Sequence, residues 1–320
     1  MEITKAKREQ IKVPIMLTGA SGSGKTVSSL ILAKGIVEKK YPDLSDSEHW
    51  EKIGVIDTEH KRSMLYADST VAGVEIGSFL HIDLEAPFSV GRYTQAFKLL
   101  KDSGVEVIIV DSLTHAWSGE GGILEEVERQ GKGNPKLQMV AWSKVKPLEK
   151  EFQRLVTGNS VYVIGTTRSK QAYEMEKDDN GRTQVRKVGL KSDQKDALEY
   201  EFAIVLRMDE FHNAEATKDN SNMFNEPFLI SKEVGHQIYE WSSEGVDLEK
   251  VKDELISEIT ELVNVSENHE KQFNALMNKF NNTPLKDFPM RNLKQVKELM
   301  EKVPMPEEQK KQSDLIGIHR

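Results

Sequence analysis

The sequence predicts an α/β fold with a mainly parallel central sheet, followed by a small all-α unit. An apolar run at 13–18 precedes a glycine-rich loop and an apolar helical run at 27–37. Further short apolar runs end on polar residues and alternate with helical patterns, which is typical of parallel βαβ units. From Leu248 onward, apolar residues recur only at helical spacing. We therefore expect a core at 1–243, a helical domain at 244–303 and a disordered tail at 304–320.

The glycine-rich loop is the most specific pattern in the chain. Strand, glycine-rich loop, Lys-Thr and helix in that order form a Walker A P-loop. The glycines let backbone N–H groups approach a phosphate chain, and the next helix points its N-terminal N–H groups at the same anion. Lys25 is expected to reach the β- and γ-phosphates, and Thr26 to ligate Mg²⁺. The alternative is a glycine-rich turn before an ordinary helix, which this spacing disfavours. The expected ATP contacts are Gly19, Ala20, Ser21, Gly22, Ser23, Gly24, Lys25, Thr26 and Val27.

Two other apolar strands end on acidic residues. The run 105–112 closes on Asp111, the Walker B pattern, and the aspartate would hold Mg²⁺ directly or through water. This pattern is weak alone and strong when it follows a Walker A loop. The run 53–60 ends in Asp57 and Glu59, which would lie near the nucleotide because strand carboxyl ends line the ligand crevice. One carboxylate could polarise the attacking water, or both could serve as helix caps and solubilising residues.

Two later segments are rich in basic residues. Residues 129–150 carry six basic side chains against Glu149, a net charge of +5, and a flexible loop is expected at their start. Residues 168–191 carry seven basic against four acidic side chains, a net charge of +3, and include an Asp-Asn-Gly turn signal. Proteins that bind single strands use charge for phosphate and an aromatic ring for stacking. The alternatives are solvated surface segments, with Trp142 packed inward. The candidate DNA contacts are Lys132, Lys136, Trp142, Lys144, Lys170 and Arg182.

The remaining patterns complete the predicted sheet. After the strand at 161–167, one of Thr166, Thr167 and Arg168 could sense the γ-phosphate. The other expected elements are strands at 79–84 and 202–208, helices at 89–101, 123–130 and 147–156, an acidic loop at 43–51, and an edge hairpin at 228–232 and 237–241 with Gly235 in its turn.

Composition excludes several classes of protein. The chain has 320 residues, a net charge of −8 and no cysteine, which rules out disulfides, cysteine nucleophiles and thiolate metal sites. No apolar run approaches the roughly 18 residues of a membrane span, so no membrane partner is expected. The polar N-terminus lacks the apolar core of a signal peptide. A cytoplasmic location is therefore expected.

The P-loop, the strand ending Ile56-Asp57-Thr58-Glu59-His60 and the strand ending at Asp111 together resemble the RecA branch of P-loop ATPases. Bacterial RecA has the similar form Ile-Asp-Ala-Glu-His, whose glutamate is the catalytic base, which implies this role for Glu59. The order of the core over 10–243 looks more like phage-encoded AAA-type ATP-binding proteins, some described as Sak-type single-strand annealing proteins. The resemblance implies a homo-oligomer, a hexamer or a filament, with nucleotides at subunit interfaces. It also implies that the two basic segments bind single-stranded DNA and that Lys232 acts across an interface, although only one of RecA's two lysines is retained.

The leading expectation is a DNA-dependent ATPase in phage recombination or replication, with Lys25, Glu59 and Asp111 as catalytic residues. It would work in the host cell cytoplasm with ATP and Mg²⁺, and could have a recombination or replication protein as a partner. The alternative is a nucleotide-dependent assembly or switch protein with a protein partner. A small-molecule kinase is disfavoured because the sequence shows no arginine-rich lid pattern.

Overall fold

The computed structural model describes residues 5–71, 73–158, 160–177, 183–192 and 196–304, with side chains of 170–197 left out of the description. The chain divides into two compact units. One is Ile11–Glu244, and the other comprises the described residues of Met1–Gln10 and Gly245–Arg320. The predicted tail at 304–320 lies outside the described residues except for its first residue. Whether the two units fold separately stays a prediction.

Eleven strands are found in the described part of the chain. They are β1 (Pro14–Gly19), β2 (Ile53–Asp57), β3 (Ser69–Val71), β4 (Val74–Ile76), β5 (Leu80–Asp83), β6 (Val107–Asp111), β7 (Tyr162–Lys177), β8 (Thr183–Ser192), β9 (Ile204–Met208), β10 (Asn213–Asp219) and β11 (Phe228–Leu229).

Helices connect most of these strands and form the second unit. They are α1 (Lys25–Lys40), α2 (Asp46–Glu51), α3 (Val90–Asp102), α4 (Thr114–Ser118), α5 (Ile123–Gly131), α6 (Gln138–Val156), α7 (Asp196–Glu199), α8 (Lys232–Ser242), α9 (Leu248–Val263), α10 (Glu267–Lys279) and α11 (Met290–Glu301).

The main sheet has the strand order β11-β10-β9-β1-β7-β6-β2-β5, and β8 pairs with β7 outside this path. All pairs from β9 to β5 are parallel, whereas β10, β11 and β8 are antiparallel additions. The predicted α/β class with a mainly parallel sheet is therefore confirmed. Because β7 lies between β1 and β6, the carboxyl ends of these three strands and of β2 meet at one edge, where α/β proteins bind ligands.

Both faces of the sheet are covered, which explains the continuous apolar runs of its central strands. On one face α3 and α6 contribute buried side chains that include Tyr93 and Phe152. On the other face α1 and α8 contribute Ile36 and Ile238. Burial on both faces leaves polar residues only at the ends of these strands. The packing therefore explains why polar residues collect at the edge where the carboxyl ends meet.

The second unit is helical, as the sequence predicts. Its core brings together Ile259 of α9, Met277 of α10 and Leu293 of α11. No helix in the described residues is long and apolar enough to cross a membrane.

The predicted edge hairpin at 228–232 and 237–241 is wrong. Only Phe228–Leu229 is a strand, and it pairs with β10, which the sequence analysis missed. Residues Lys232–Ser242 form α8, whose buried positions Val234, Ile238 and Ser242 recur every four residues. Gly235 lies inside this helix instead of in a turn, and the backbone of α1 approaches it there.

Other parts of the chain also differ from the sequence predictions. The acidic loop at 43–51 contains α2, which begins with a capping box between Ser45 and Glu48. The hairpin of β3 and β4 was not predicted, since each strand has three residues. The basic segment that begins at 129 is mostly helix. Pro147, expected at a helix start, lies inside α6.

Replacing Gly235 with alanine tests the close crossing of α1 and α8. A Cβ at Gly235 would lie 2.5 Å from the carbonyl oxygen of Leu32 and 2.8 Å from the Cα of Gly35. We expect Gly235→Ala to lower the free energy of unfolding by about 1–3 kcal/mol because the helices must separate. Denaturant unfolding measures this change in the free energy of unfolding. Gly91→Ala in α3 is the matched control, since no atom lies within 4 Å of its Cβ. Equal stability of the two variants would contradict the close crossing.

Candidate active site

The loop between β1 and α1 adopts a conformation that requires glycine. Gly22 and Gly24 have φ angles of 83° and 85°, in the left-handed region that other residues rarely adopt. A Cβ on Gly24 would also lie 2.9 Å from Nδ1 of His212, and one on Gly19 would lie 2.8 Å from the carbonyl oxygen of Met208. The loop is therefore pressed against β9 and its turn. Its last glycine is the N-cap of α1, whose free N–H groups can receive an anion.

Lys25, the first residue of α1, turns its side chain back over this loop. Its Nζ donates hydrogen bonds to the carbonyl oxygens of Gly19 at 3.0 Å and Ala20 at 2.8 Å. Burial lowers the pKa of the Lys25 ammonium, and the charges of Asp111 and Glu59 oppose that effect. The ammonium thus lies where the loop and the two acidic strand ends converge.

Asp111 lies at the carboxyl end of β6 and is only 3% exposed. The Thr26 hydroxyl donates to its Oδ2 at 2.5 Å, and the Thr166 hydroxyl of β7 donates to its Oδ1 at 2.5 Å. Burial raises the pKa of the Asp111 carboxyl, and the two hydrogen bonds oppose the rise. Mg²⁺ prefers oxygen ligands, so the Thr26 hydroxyl and the Asp111 carboxylate fit such an ion.

Glu59 follows β2 and forms a two-pronged ion pair with Arg168 of β7. The Arg168 Nε donates to Glu59 Oε1 at 2.8 Å, and a second guanidinium N–H donates to Oε2. The Ser112 hydroxyl donates to Oε1 at 3.2 Å. Burial would raise the pKa of Glu59, but the hydrogen bonds and charge of Arg168 hold it below its ordinary value. Glu59 is therefore a carboxylate held ionised beside the P-loop.

Asp57 is fully buried and has a different environment from Glu59. It accepts hydrogen bonds from the backbone N–H groups of Glu59 and Ser63, both at 2.8 Å, and from the Ser63 hydroxyl at 2.5 Å. These bonds fix the turn after β2. The contacts favour Glu59, not Asp57, as the carboxylate that faces a substrate.

The P-loop and the charged side chains around it line one pocket of about 880 Å³, which Asp57 does not line. Lys25, Thr26, Asp111, Glu59 and Arg168 form its polar end, whereas its other lining is rich in apolar and aromatic side chains. Sequence reasoning predicted only Val27 of this lining. Ile31 comes from the next turn of α1, and the other six residues come from segments within 62–74 and 211–230, which carry no motif. The apolar and aromatic lining consists of Val27, Ile31, Tyr66, Val71, Val74, Phe211, Leu229 and Ile230.

Lys232 has a partner on the neighbouring helix. It is the first residue of α8, and its Nζ lies 3.1 Å from Oε1 of Glu38 on α1. Ser231, the residue before it, lines the pocket, and Lys232 does not in the part of the chain that the structure describes. A role of Lys232 across a subunit interface stays a prediction.

The predicted DNA contacts lie mostly on a helical hairpin. Lys132 ends α5, Lys136 lies in the short turn before α6, and Lys144 lies on α6, all with exposed side chains. Trp142 is half-buried on α6, and its ring centre lies 5.9 Å from that of Trp117. This packing favours the alternative in which Trp142 belongs to the core. The Lys170 side chain and all of Arg182 lie outside the described residues, although the predicted hairpin of β7 and β8 is present.

The strand order and the phosphate-binding loop define a P-loop nucleotide-binding protein. A family model described as an AAA domain matches residues 11–227, and the chain belongs to that family. Membership indicates a nucleotide-binding ATPase domain, which agrees with the geometry of the pocket. The search of curated proteins found no match.

Trp142→Ala tests whether the ring is part of the core. We expect the free energy of unfolding to fall by about 1–3 kcal/mol, less than for a fully buried tryptophan because the ring is half-exposed. Chemical denaturation measures the loss, and Trp142→Phe, which keeps a ring against Trp117, is the control. Unchanged stability together with weaker binding to all single strands would instead favour base stacking.

Proposed function

We propose that the protein hydrolyses ATP with Mg²⁺ and acts on single-stranded DNA in phage recombination or replication. The convergence of Lys25, Thr26, Asp111, Glu59 and Arg168 in one pocket carries the catalytic part of this proposal. The five side chains come from the P-loop helix, β2, β6 and β7, so the parallel sheet brings them together. Each corresponds to a task in phosphoryl transfer, which depends on positioning and on stabilising charge.

The proposed roles follow from the contacts. Lys25 and the loop N–H groups hold the β- and γ-phosphates, and the apolar end of the pocket takes the base, where Tyr66 and Phe211 supply aromatic rings. Thr26 and Asp111 would hold Mg²⁺, which neutralises charge on the phosphate oxygens when bound. Glu59 accepts the proton of the attacking water, because it is ionised and lies beside the phosphate end.

Arg168 lies between Glu59 and the proposed position of the γ-phosphate. Its guanidinium already binds the carboxylate of Glu59, and both residues line the pocket. A planar guanidinium suits phosphate oxygens as well as carboxylates. We assign Arg168 the contact to the γ-phosphate among the three candidates, since Thr166 donates to Asp111 and Thr167 is fully buried.

Single-stranded DNA is the proposed partner because exposed basic residues cluster on the hairpin of α5 and α6. Lys132, Lys136 and Lys144 are exposed there, with Lys146 and Lys150 further along α6. A local basic surface can bind a polyanion despite the net charge of −8, because salt screens distant charges.

The proposal includes assembly into a hexamer or filament and a location in the host cytoplasm. An assembly or switch protein with a protein partner is the alternative, and stimulation of ATP turnover by DNA separates the two.

Glu59→Gln tests the catalytic assignment. The amide keeps the size of the side chain but cannot take a proton, so hydrolysis should fall by about 100-fold or more. Binding of a fluorescent ATP analogue should persist. Lys25→Ala is the contrasting variant, expected to weaken nucleotide binding as well as turnover because it removes a charge from the phosphates. Turnover near the wild-type rate in Glu59→Gln would transfer the role to another residue.

Replacing Lys132, Lys136 and Lys144 with alanine tests the DNA surface. If all three contact phosphates, the slope of log affinity against log salt should decrease by about 2, at roughly 0.7 per contact. Basal hydrolysis should survive, because none of the three lines the pocket in the described part of the chain. A double variant of the exposed Lys98 and Lys101 on α3 is the control. An unchanged slope in the triple variant would remove this surface from the DNA site.

A further inference from the structure

The short helix α4 contacts the backbone of Arg168 and the side chain of Thr58, the residue before Glu59. The Thr114 hydroxyl accepts a hydrogen bond from the backbone N–H of Arg168 at 3.0 Å. Nδ1 of His115 lies 2.7 Å from the hydroxyl oxygen of Thr58, the residue before Glu59. Adjacent residues of one helical turn thus hold the two chain segments that carry the ion pair.

The Thr58 hydroxyl is a junction between β2 and β6. Its oxygen also accepts from the backbone N–H of Ser112 at 2.7 Å, and the hydroxyl of Ser112 reaches Glu59. Thr58 is 2% exposed and Ser112 is 1% exposed. Because these groups are buried and hydrogen-bonded, a shift of His115 would be transmitted to the carboxylate without relaxation into solvent.

His115 is itself held in place by stacking. Its ring lies 4.8 Å from that of Phe88 with an interplanar angle of 19°. This contact sets the plane of the imidazole, and so the direction from which Nδ1 meets Thr58. His115 does not line the pocket in the described residues, so any effect it has on the reaction acts through Thr58 and Glu59.

The same helix also contacts the basic hairpin. Two residues after His115, Trp117 packs against Trp142 of α6. The exposed lysines of α6 are on the helix that carries this ring, so α4 lies between the proposed DNA surface and the proposed catalytic carboxylate. A five-residue helix that contacts both segments can pass a displacement from one to the other.

We propose that His115 is a positioning residue for Glu59, and that α4 is the link through which a polyanion on α6 alters the rate of ATP hydrolysis. This inference rests on the proposed function, since it assumes that Glu59 activates water. It adds a regulatory connection that neither the P-loop nor the acidic strand ends contain.

His115→Ala tests the positioning role. We expect kcat to fall by about 10–100-fold, because a small misplacement of a catalytic group is costly. The affinity for a fluorescent ATP analogue should change less than about twofold, because His115 is outside the pocket. His115→Asn should recover part of the rate, since its amide can hydrogen-bond Thr58. Ser118→Ala is the control, because the Ser118 hydroxyl bonds only within α4 among the contacts described, to the Thr114 carbonyl oxygen.

Two results would count against the positioning role. A kcat near the wild-type value in His115→Ala overturns it, as does a loss confined to nucleotide affinity. Absence of ATP turnover in the wild-type protein would overturn the proposed function itself, so the two failures are distinguishable.

Trp117→Leu tests the link. The ratio of the DNA-stimulated rate to the basal rate should fall at least about twofold, while affinity for single-stranded DNA persists because the lysines remain. Trp241→Leu on α8, also half-buried, is the matched control. If α4 is the link, His115→Ala should also lower this ratio. The double variant of Trp117→Leu and His115→Ala should then lower the ratio by less than the product of the two single effects, as for residues that act through one element. A wild-type ratio in Trp117→Leu overturns the link, as does a wild-type protein that DNA does not stimulate.

Discussion

The buried carboxylate of Asp111 is the contact on which the geometry of the site depends. Each of its oxygens accepts a hydroxyl hydrogen bond, one from α1 and one from β7. A buried carboxylate is costly unless such bonds compensate it, and removal of either hydroxyl would leave an acceptor unsatisfied. The bonds therefore fix the start of the P-loop helix relative to two strands. Lys25 is adjacent to Thr26, so its position follows from the same bonds.

The parallel register extends this arrangement to Glu59 and Arg168. Asp57 of β2 is level with Asp111 of β6, and Val110 is level with Gly165 of β7. Residues just beyond these positions therefore emerge at the same height, and β2, β6 and β7 carry no charged residue below that height. Because both faces of the sheet are covered, charged groups within the strands would be buried without partners, whereas at the edge they can pair with one another.

The sequence could predict those parts of the site that have a local pattern. The P-loop, Asp111 and Glu59 each follow a strand that is recognisable alone, and the alternation of strands and helices predicts the fold. The pairing of Arg168 with Glu59 has no local pattern, because it depends on the register of three strands. The helix α8 was missed for a related reason. Its apolar residues fit a strand as well as a helix, and the close approach of Gly35 and Gly235 that accompanies the helical packing has no local pattern. The packing of Trp142 could not be predicted either, because its neighbours in the sequence are basic and its partner Trp117 lies on another helix.

The number of acceptor sites on Glu59 constrains how it can act. A carboxylate has about four lone-pair sites. Among the described residues, Arg168 uses one site on each oxygen and Ser112 uses a second site on Oε1. No hydrogen bond among the described residues uses the second site on Oε2, although a guanidinium nitrogen of Arg62 lies 3.8 Å from that oxygen. Under the proposed function this site takes the water molecule. The three bonds hold the carboxylate ionised and orient that site, but each also withdraws negative charge and so weakens the base. A phosphate that takes one bond from Arg168 would strengthen the base. Under the proposed function, the ion pair makes the basicity of Glu59 depend on the γ-phosphate that the water molecule attacks.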